Sequence, residues 1–356
     1  MRPDESPRAG DGARALSCVS LTHPQSFDDG RGVFDLLKVN ISTADGLEEI
    51  DFEGGEGIEP GSWFALTAPT PTELRIASEV TGAPLDLLRA ALDMEESSRI
   101  EVEDDHILIL TNIPKSEGGS TSNYDTIPLG IVISENYAIT VCLEANDVLK
   151  DFDPSHHHFF DTRKRTRFLF QVLYKTAVLY LKDLRLMNRR TDEVEQDLRR
   201  SMKNKELFLL LDLQKSLTYF TVSLRTNRSV IERLMRLFSN PNVHHLVKLR
   251  EEDEELLEDV RIEYDQAIEM VQVHSDVMSS TMDAMASVIS NNLNIVMKFL
   301  TSVTIVMAIP TMLSSFFGMN VPVPWQEDAN GFIYAMIVAV ILAIGATILL
   351  WKKRMF

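Results

Sequence analysis

The residues best suited to binding a ligand lie in a short polar segment, residues 318–330, which reads GMNVPVPWQEDAN. The amide of Asn320 offers a neutral carbonyl oxygen, which suits a hard divalent cation. Glu327 and Asp328 add negative charge that can concentrate cations by long-range attraction. The same residues also fit a plain solvated turn, in which Gly318 ends a helix and the two acids face water.

A run of acids in residues 251–283 forms a second group of candidate ligands, with twelve Asp or Glu residues and a single base, Arg261. Such a run is usually a solvated helix face. If several copies of the helix crowd together, however, the repulsion between them favours bound cations. The net charge of −18 agrees with cations as partners and argues against nucleic acid, whose binding needs clustered Lys and Arg.

Enzymatic chemistry is not indicated. The sequence contains no catalytic triad, phosphate-binding loop or nucleotide fingerprint, so we expect neither an enzyme nor a cofactor. Its two cysteines, Cys18 and Cys142, are too few for a disulfide framework.

Two uncharged apolar runs flank the polar segment, residues 299–317 and residues 331–351. Each has about the 20 residues that a helix needs to cross a bilayer. Lys298 precedes the first run, three cations follow the second, and residues 318–330 contain no Lys or Arg. Because positive residues stay on the cytoplasmic side, we expect a membrane hairpin with both termini cytoplasmic and its loop outside.

One face of the first apolar run is small and polar. At steps of three or four residues this face contains Asn294, Met297, Thr301, Thr304, Ala308, Thr311 and Ser315. Small and hydroxyl-bearing residues allow close packing between membrane helices, and they can also line a polar pathway. The residues alone favour packing, and a pathway would need several copies because two spans cannot enclose one.

The remainder of the chain predicts a soluble α/β or α+β domain followed by long helices. Five short strands are indicated, together with a helix that Thr70 or Thr72 caps and Gly82 ends, and a second helix in PLDLLRAALDM. The strand order stays open. Residues 156–240 and 242–309 lack Gly and Pro, which predicts two antiparallel helices turning near RRSMKNKE and then one very long helix.

The predicted organisation has seven parts. They are a flexible tail (1–32), the α/β cytoplasmic domain (33–155), antiparallel long helices (156–240), a stalk helix continuing into the first span (241–317, membrane part about 296–317), an outer loop (318–330), the second span (331–351) and a basic cytoplasmic tail (352–356).

With GMN at the end of the first span, a long acidic stalk before it and a Lys-rich tail after the second span, the chain resembles the CorA family of magnesium transporters. The stretches SNNLNIVMKFLTSVTIVMAIPTMLSSFFGMN, SWFALTAPTPTEL and SRIEVEDDHILIL extend the resemblance over roughly residues 60–356. It implies a funnel-shaped homopentamer, multi-pass in the bacterial plasma (inner) membrane. The first span would line the axis, and Mg²⁺ would be both substrate and regulatory ligand.

The resemblance also implies roles for individual residues. Gly318, Met319 and Asn320 would form the selective mouth. Asp259 and Asp283 match acids implicated in sensing cytoplasmic Mg²⁺ and in a ring near the inner end of the pore. The family's acidic partner on the N-terminal domain is not matched, and the nearby acids are Asp93, Glu95 and Glu96. The residues implied to line the pore are Asn294, Met297, Leu300, Thr304, Ala308 and Thr311.

These roles carry specific chemistry. Mg²⁺ gives up its water reluctantly, so a selective mouth should present neutral oxygens to the hydrated ion. A ring of Asn320 amides does this without net charge and still releases the ion, and backbone carbonyls would add to it if Gly318 takes an unusual φ. Met297 and Leu300 would form an apolar constriction that gates by dewetting. Ala308 stands where the family often has Met, which would widen the middle of the pore.

Two other functions stay open at this point. A zinc or cobalt/nickel transporter of the same superfamily would share the architecture, although GMN favours Mg²⁺. A membrane-anchored scaffold or sensor, whose spans only tether the stalk, belongs to another class. The polar stripe and Asn320 argue against this second alternative.

Overall fold

The structure is a computed structural model of the chain. It describes residues 37–43, 47–50, 58–103, 105–116, 124–152, 160–201, 204–238, 249–320, 322–325, 328 and 330–355. The predicted tail of residues 1–32 and the candidate acid Glu327 lie outside these residues.

One mixed sheet of seven strands forms the centre of the N-terminal domain. The strands are β1 (Leu37–Ser42), β2 (Leu47–Ile50), β3 (Trp63–Thr67), β4 (Arg99–Glu103), β5 (His106–Ser116), β6 (Tyr124–Ser134) and β7 (Ala138–Cys142).

The sheet has the order β2-β1-β3-β7-β6-β5-β4. All neighbouring strands pair antiparallel except β3 and β7, which run parallel with Trp63 opposite Ala138. The five predicted strands are confirmed. The sequence does not predict β2 and β4, because these two edge strands are short and rich in charged residues (LEEI and RIEVE), as edge strands often are.

Two short helices cover one face of the sheet. Helix α1 (Pro71–Thr81) begins with a capping box, in which the Thr70 hydroxyl accepts a hydrogen bond from the Glu73 amide, and ends at Gly82 with a φ of 74°. Both predicted caps are therefore confirmed, with Thr70 rather than Thr72 at the start. Helix α2 (Leu85–Ala90) follows, and its buried leucines pack with α1 on this face.

Three long helices lie beyond the other face. The first two pack on the strands, the third packs on the first two, and their apolar residues form one continuous core with the sheet. They are α3 (Arg165–Ser201), α4 (Asn204–Phe238) and α5 (Glu251–Phe317). The expectation of a helix unbroken from residue 242 is wrong, since Leu249 and Arg250 are not helical. Four acids from Glu251 to Glu254 occupy the first turn of α5, where the helix dipole favours negative charge.

Helix α5 changes its surroundings twice along its length. Its first part packs on α3 and α4 through buried residues that end at Met285. Residues 286–301, which we call the neck, are exposed on every side. From Ser302 onwards α5 is covered on one face by α6 (Gly331–Lys352). The 67 residues of α5 reach about 100 Å, far more than a bilayer spans, so α5 is both stalk and span.

Candidate ion pathway

The two apolar helices pack on each other and on little else. Only 6% of the apolar window of α5 and 11% of that of α6 is buried within the chain. A core helix of a soluble protein would be mostly buried, so these surfaces need another apolar environment, which a bilayer supplies.

Small residues bring α6 close to α5. The most covered positions of α6 recur at helical spacing and include Gly331, Ala335, Ala339 and Ala343. Because small side chains let two helix backbones approach, this stripe explains how two spans without charged contacts stay together. On α5 the covered positions facing α6 are Ser302, Val306, Ile309 and Leu313.

The predicted pathway stripe lies on the opposite side of α5. At about 100° per residue, the covered positions and the stripe fall on roughly opposite faces of the helix. All six candidate lining residues are exposed in the single chain, and so is Thr301. The exposure therefore fits the stripe with Leu300 and the stripe with Thr301 equally well. The six residues are Asn294, Met297, Leu300, Thr304, Ala308 and Thr311.

The threonine hydroxyls of the stripe donate hydrogen bonds to backbone carbonyl oxygens of their own helix. Thr304 Oγ1 donates to the Leu300 carbonyl oxygen at 2.8 Å, and Thr311 Oγ1 donates to the Met307 carbonyl oxygen at 3.1 Å. The hydroxyl oxygens thus keep their lone pairs free. A stripe of this kind offers hydrogen-bond acceptors rather than donors. This suits a hydrated cation, because the water molecules around the ion donate hydrogen bonds outward.

The mouth follows the end of α5 directly, and its glycine differs from the expectation. Gly318 has φ −88° and ψ 1°, so the expected unusual φ is wrong. The Gly318 amide donates to the Ser314 carbonyl oxygen at 3.0 Å, and the Met319 amide donates to that of Phe316 at 3.3 Å. These bonds close the helix without a left-handed residue. Met319 and Asn320 are both exposed beyond this end.

Among the described residues of the outer turn, Trp325 is left-handed, with φ 64°. Its carbonyl oxygen accepts from the Asp328 amide at 3.2 Å, and the Asp328 carbonyl accepts from the Gly331 amide at 3.0 Å. A Cβ on Gly331 would lie 2.3 Å from the Trp325 carbonyl oxygen, so this position requires glycine. The Asp328 side chain is exposed, while Glu327 lies outside the described residues.

At the other end of α6 the chain folds back onto α5. The Arg354 amide donates to the Trp351 carbonyl oxygen and the Met355 amide to that of Leu350, with Arg354 at φ 55°. This is a Schellman turn with Arg in the place that Gly usually takes. Ser302 Oγ, fully buried, donates to the Met355 carbonyl oxygen at 3.2 Å. The basic tail is therefore attached to the first span.

The stalk acids are unequally neutralised. Arg261 pairs with Glu258 and with Asp265 (3.1 Å), and its hydrogen bond holds the pKa of Glu258 below the ordinary value. Asp265 also pairs with Arg228 of α4 at 3.1 Å. Asp259 is exposed, with no ion pair among the residues that the structure describes. Arg261, the single base of the acidic run, thus pairs with Glu258 and Asp265 and leaves the exposed Asp259 without an ion pair among the described residues.

The other candidate acids lie apart from Asp259 in the single chain. Asp283 is exposed on the same helix, 24 residues further on, which is about 36 Å. On the N-terminal domain Glu96 is bound by Arg99, whereas Asp93 and Glu95 are exposed in the turn after α2. Within the described part of the chain, no three His, Cys, Asp or Glu side chains are grouped to hold a metal.

Sequence reasoning missed the bond between Ser302 and Met355 and the close approach of Trp325 to Gly331. Ser302 has a sequence signal, since a lone hydroxyl on the apolar side of a span needs a partner. Gly331 at the first position of the second span is also a signal, but its neighbour cannot be read from spacing.

The architecture of an α/β domain, a helix that is both stalk and span, and a second apolar helix is that of a known class of membrane transporter. The solved CorA magnesium transporter from Methanocaldococcus jannaschii superposes with a TM-score of 0.72 at 24% identity, covering 88% of this chain and 96% of that one. The fold is therefore that of the CorA transporters.

Sequence comparison gives the same result. The chain is 29% identical to the cobalt/magnesium transport protein CorA of M. jannaschii over 83% of its length and 90% of the relative's. It is 23% identical to the magnesium transport protein CorA of Helicobacter pylori over 82% of its length and 89% of the relative's. The family of CorA-like Mg²⁺ transporter proteins matches residues 60–354, and the chain belongs to this family. It is accordingly an ion transporter and not an enzyme.

Proposed function

We propose that the chain is a Mg²⁺ uptake channel that selects the hydrated ion at Asn320. The observation that carries this proposal is the position of the stripe: neutral, exposed side chains run along α5 on the face away from α6 and lead to Asn320 at its end. A hydrated divalent ion is met there by amide and hydroxyl oxygens, which bind it without stripping its water.

The channel is a homopentamer with α5 on the axis and α6 outside. Two spans cannot enclose a pathway, so the stripe becomes a lining only when several copies bring their α5 helices together. The neck supports the same assembly, because its 16 residues (286–301) are exposed on all sides and include Leu293 and Val296. Apolar side chains on every face of a helix need neighbours, and the part of the chain that the structure describes provides none there.

Membrane potential drives the ion inward. The protein lies in the bacterial plasma membrane with both termini cytoplasmic, an orientation supported by Lys298, Lys352 and Lys353 at the inner ends of the spans. A divalent ion gains about 4.6 kcal/mol per 100 mV of inside-negative potential, twice the single-charge value. The pathway therefore needs no other source of energy.

Cytoplasmic Mg²⁺ closes the channel by binding between subunits at Asp259. The charge that Arg261 leaves uncompensated there repels the same charge on a neighbouring stalk, and a bound ion removes that repulsion. Asp93 and Glu95 are the partners favoured on the N-terminal domain, because Arg99 already occupies Glu96. Asp283 acts nearer the pore, where it attracts ions passing through.

The experiment is ion uptake by the purified protein in sealed vesicles with an imposed inside-negative potential. Mg²⁺, Co²⁺, Ni²⁺ and Zn²⁺ are compared at equal free concentration, and protein-free vesicles give the leak. We expect Mg²⁺ uptake that rises with the potential. Uptake of Zn²⁺ without Mg²⁺, or no uptake of any of the four, would overturn the proposal.

Cobalt is the second candidate substrate, because the M. jannaschii relative is named a cobalt/magnesium transport protein. Recognition through the hydration shell discriminates weakly between hexahydrated ions of similar size. The same vesicles test whether both ions are substrates, since Co²⁺ should then inhibit Mg²⁺ uptake by competing for one pathway.

A further inference from the structure

The outer face of α6 contains a glycine that no contact among the described residues requires. Gly345 is exposed, and its φ is outside the left-handed region. Apart from its own stretch of helix backbone, no heavy atom of the described residues lies within 4 Å of the place that a Cβ would take. Glycine inside a helix is destabilising relative to alanine. Neither the backbone nor packing on α5 requires this glycine, so it leaves an open notch in the surface that faces away from α5.

Bulky apolar residues surround the notch. By helical spacing Gly345 shares its face with Ile341, Ile344 and Ile348, and these side chains are between 53% and 62% exposed. The face lies roughly opposite the small residues that pack on α5, so in a membrane it meets lipid or another subunit. The notch has the width of one missing side chain, which fits a methylene chain between isoleucine ridges.

The same face ends in an aromatic residue and a cation. Trp351 is 72% exposed, and Lys352, seven residues after Gly345, lies almost directly below the notch. Seven residues of helix span about 10 Å, the distance between the upper acyl chain and the headgroup of a phospholipid. Lys353 lies about 100° further round the helix, toward α5, and so differs from Lys352 in direction but not in charge.

The backbone at this end is fixed rather than frayed. The Schellman turn and the bond from Ser302 to the Met355 carbonyl oxygen hold the last turn of α6. The helix position from which Lys352 projects is therefore fixed. Tryptophan at the level of the headgroups and lysine reaching to their phosphates are the usual partners of an interfacial lipid.

We propose that Gly345, Ile348, Trp351 and Lys352 form a binding site for one anionic phospholipid, with an acyl chain in the notch and the headgroup phosphate at Lys352. Charge complementarity decides for an anionic lipid over a second copy of the chain, because a neighbouring α6 would bring another Lys352 to the same place. The proposal depends on α6 crossing the membrane and not on which ion the protein carries.

The test is quenching of tryptophan fluorescence by brominated lipids. The full-length protein is reconstituted in phosphatidylcholine vesicles containing a small fraction of dibrominated phosphatidylglycerol or dibrominated phosphatidylcholine. The same measurement on Trp351→Phe gives the combined contribution of the other two tryptophans, Trp63 and Trp325, and is subtracted. A cation at the membrane surface favours an anionic lipid about five-fold. At equal lipid fraction, we expect dibrominated phosphatidylglycerol to be preferred over dibrominated phosphatidylcholine by about that factor in the quenching of Trp351.

Matched variants assign the site. Lys352→Gln should abolish the preference, and Lys353→Gln should keep most of it. Gly345→Leu should reduce the quenching by both lipids. Equal quenching by the two lipids in the parent, or equal loss in the two lysine variants, would overturn the site. If Gly345→Leu leaves the quenching unchanged and breaks the oligomer, the notch holds a neighbouring subunit and the acyl part of the proposal is wrong.

Discussion

Asn227 of α4 hydrogen bonds to both backbone groups of Asn112 in β5. Its Nδ2 donates to the Asn112 carbonyl oxygen at 2.7 Å, and its Oδ1 accepts from the Asn112 amide at 2.9 Å. Strand β4 pairs with β5 only from Leu110 to His106, and the residue opposite Asn112 on β6 is Pro128, which has no amide hydrogen. A helix side chain thus replaces the missing strand and joins the sheet to α4.

Asn227→Ala should destabilise the protein by about 1–3 kcal/mol, the cost of leaving one buried polar group without a partner. For a domain of this size, that corresponds to a fall in Tm of roughly 2–12 °C. Thermal unfolding of the solubilised full chain, followed by circular dichroism, measures it. Asn188→Ala, an exposed residue of α3, is the control and should leave Tm unchanged. Equal Tm values for the two variants would contradict the role of Asn227.

Asn320→Ala should abolish Mg²⁺ flux and leave the oligomer intact, because it removes the outer oxygens and no packing. The exposed Asn330, which makes no side-chain cap bond, provides the control, since Asn330→Ala removes an amide from the same loop. Vesicle uptake and the oligomer mass are measured for both. If the Asn320 variant transports like the parent, selection occurs elsewhere.

Gly318→Ala should leave Tm unchanged, and Gly331→Ala should lower it. A Cβ on Gly318 would lie 3.4 Å from the Ser314 carbonyl oxygen, whereas one on Gly331 would lie 2.3 Å from that of Trp325. The second contact is with backbone and must move the outer turn. If flux falls in a Gly318 variant with normal Tm, the loss reports on the mouth and not on folding. A lower Tm for Gly318→Ala than for Gly331→Ala would show that the described turn is wrong.

Asp183→Asn should stabilise the protein at pH 7.5 and much less at pH 4.5. Asp183 is buried on α3, and desolvation raises its pKa from 3.8 to about 6. A raised carboxyl pKa means that the folded state holds its proton more tightly, so stability is lost as pH rises through about 6. Removing the charge should recover up to about 3 kcal/mol above that pH.

Thermal unfolding of Asp183→Asn between pH 4.5 and 8 measures this effect. Asp197→Asn, an exposed acid on the same helix, is the control and should follow the parent at every pH. A constant difference in Tm between the Asp183 variant and the parent across this range would exclude titration of Asp183 as the cause.

Asp259→Ala should make flux less sensitive to internal Mg²⁺. It removes the ligand and the repulsion together, so the resting activity can shift either way, while the inhibition constant for internal Mg²⁺ must rise. Current across membrane patches at varied internal Mg²⁺ gives that constant. Asp283→Ala should change it less. If the Asp259 variant closes at the same internal Mg²⁺ as the parent, the sensor lies among other acids, with Asp93, Glu95 and residues 251–255 the next to test.

Much of the fold follows from local signals in the sequence. The caps Thr70 and Gly82 of α1, the five alternating strands and the two apolar runs are each specified within a few residues. The order of the strands is not, because the pairing of β3 with β7 joins Trp63 to Ala138 across most of the domain. Local patterns also cannot show that Arg354 takes a left-handed conformation, since the turn depends on Ser302.

The sequence predicts which residues belong to the candidate site, but it does not predict how the helices and subunits bring them together. Periodicity places the stripe on one face of α5, and only the packing of α6 shows that this face stays open. The φ of Gly318 was misjudged because a glycine after a helix is usually left-handed, whereas here two backbone hydrogen bonds close the end. Asp259 and its partner acid belong to different subunits in the proposed assembly, so one chain cannot bring them together.

The parallel pairing of β3 with β7 joins two halves of the sheet that come from two separate segments of the chain. Strands β1 to β3 come from residues 37–67 and strands β4 to β7 from residues 99–142, and each half is built from neighbours in the chain. Each half can form early from local contacts, while the parallel junction must wait for a long loop to close. A pulling force applied to the domain should therefore part the sheet at this junction first, with each half opening later as a unit.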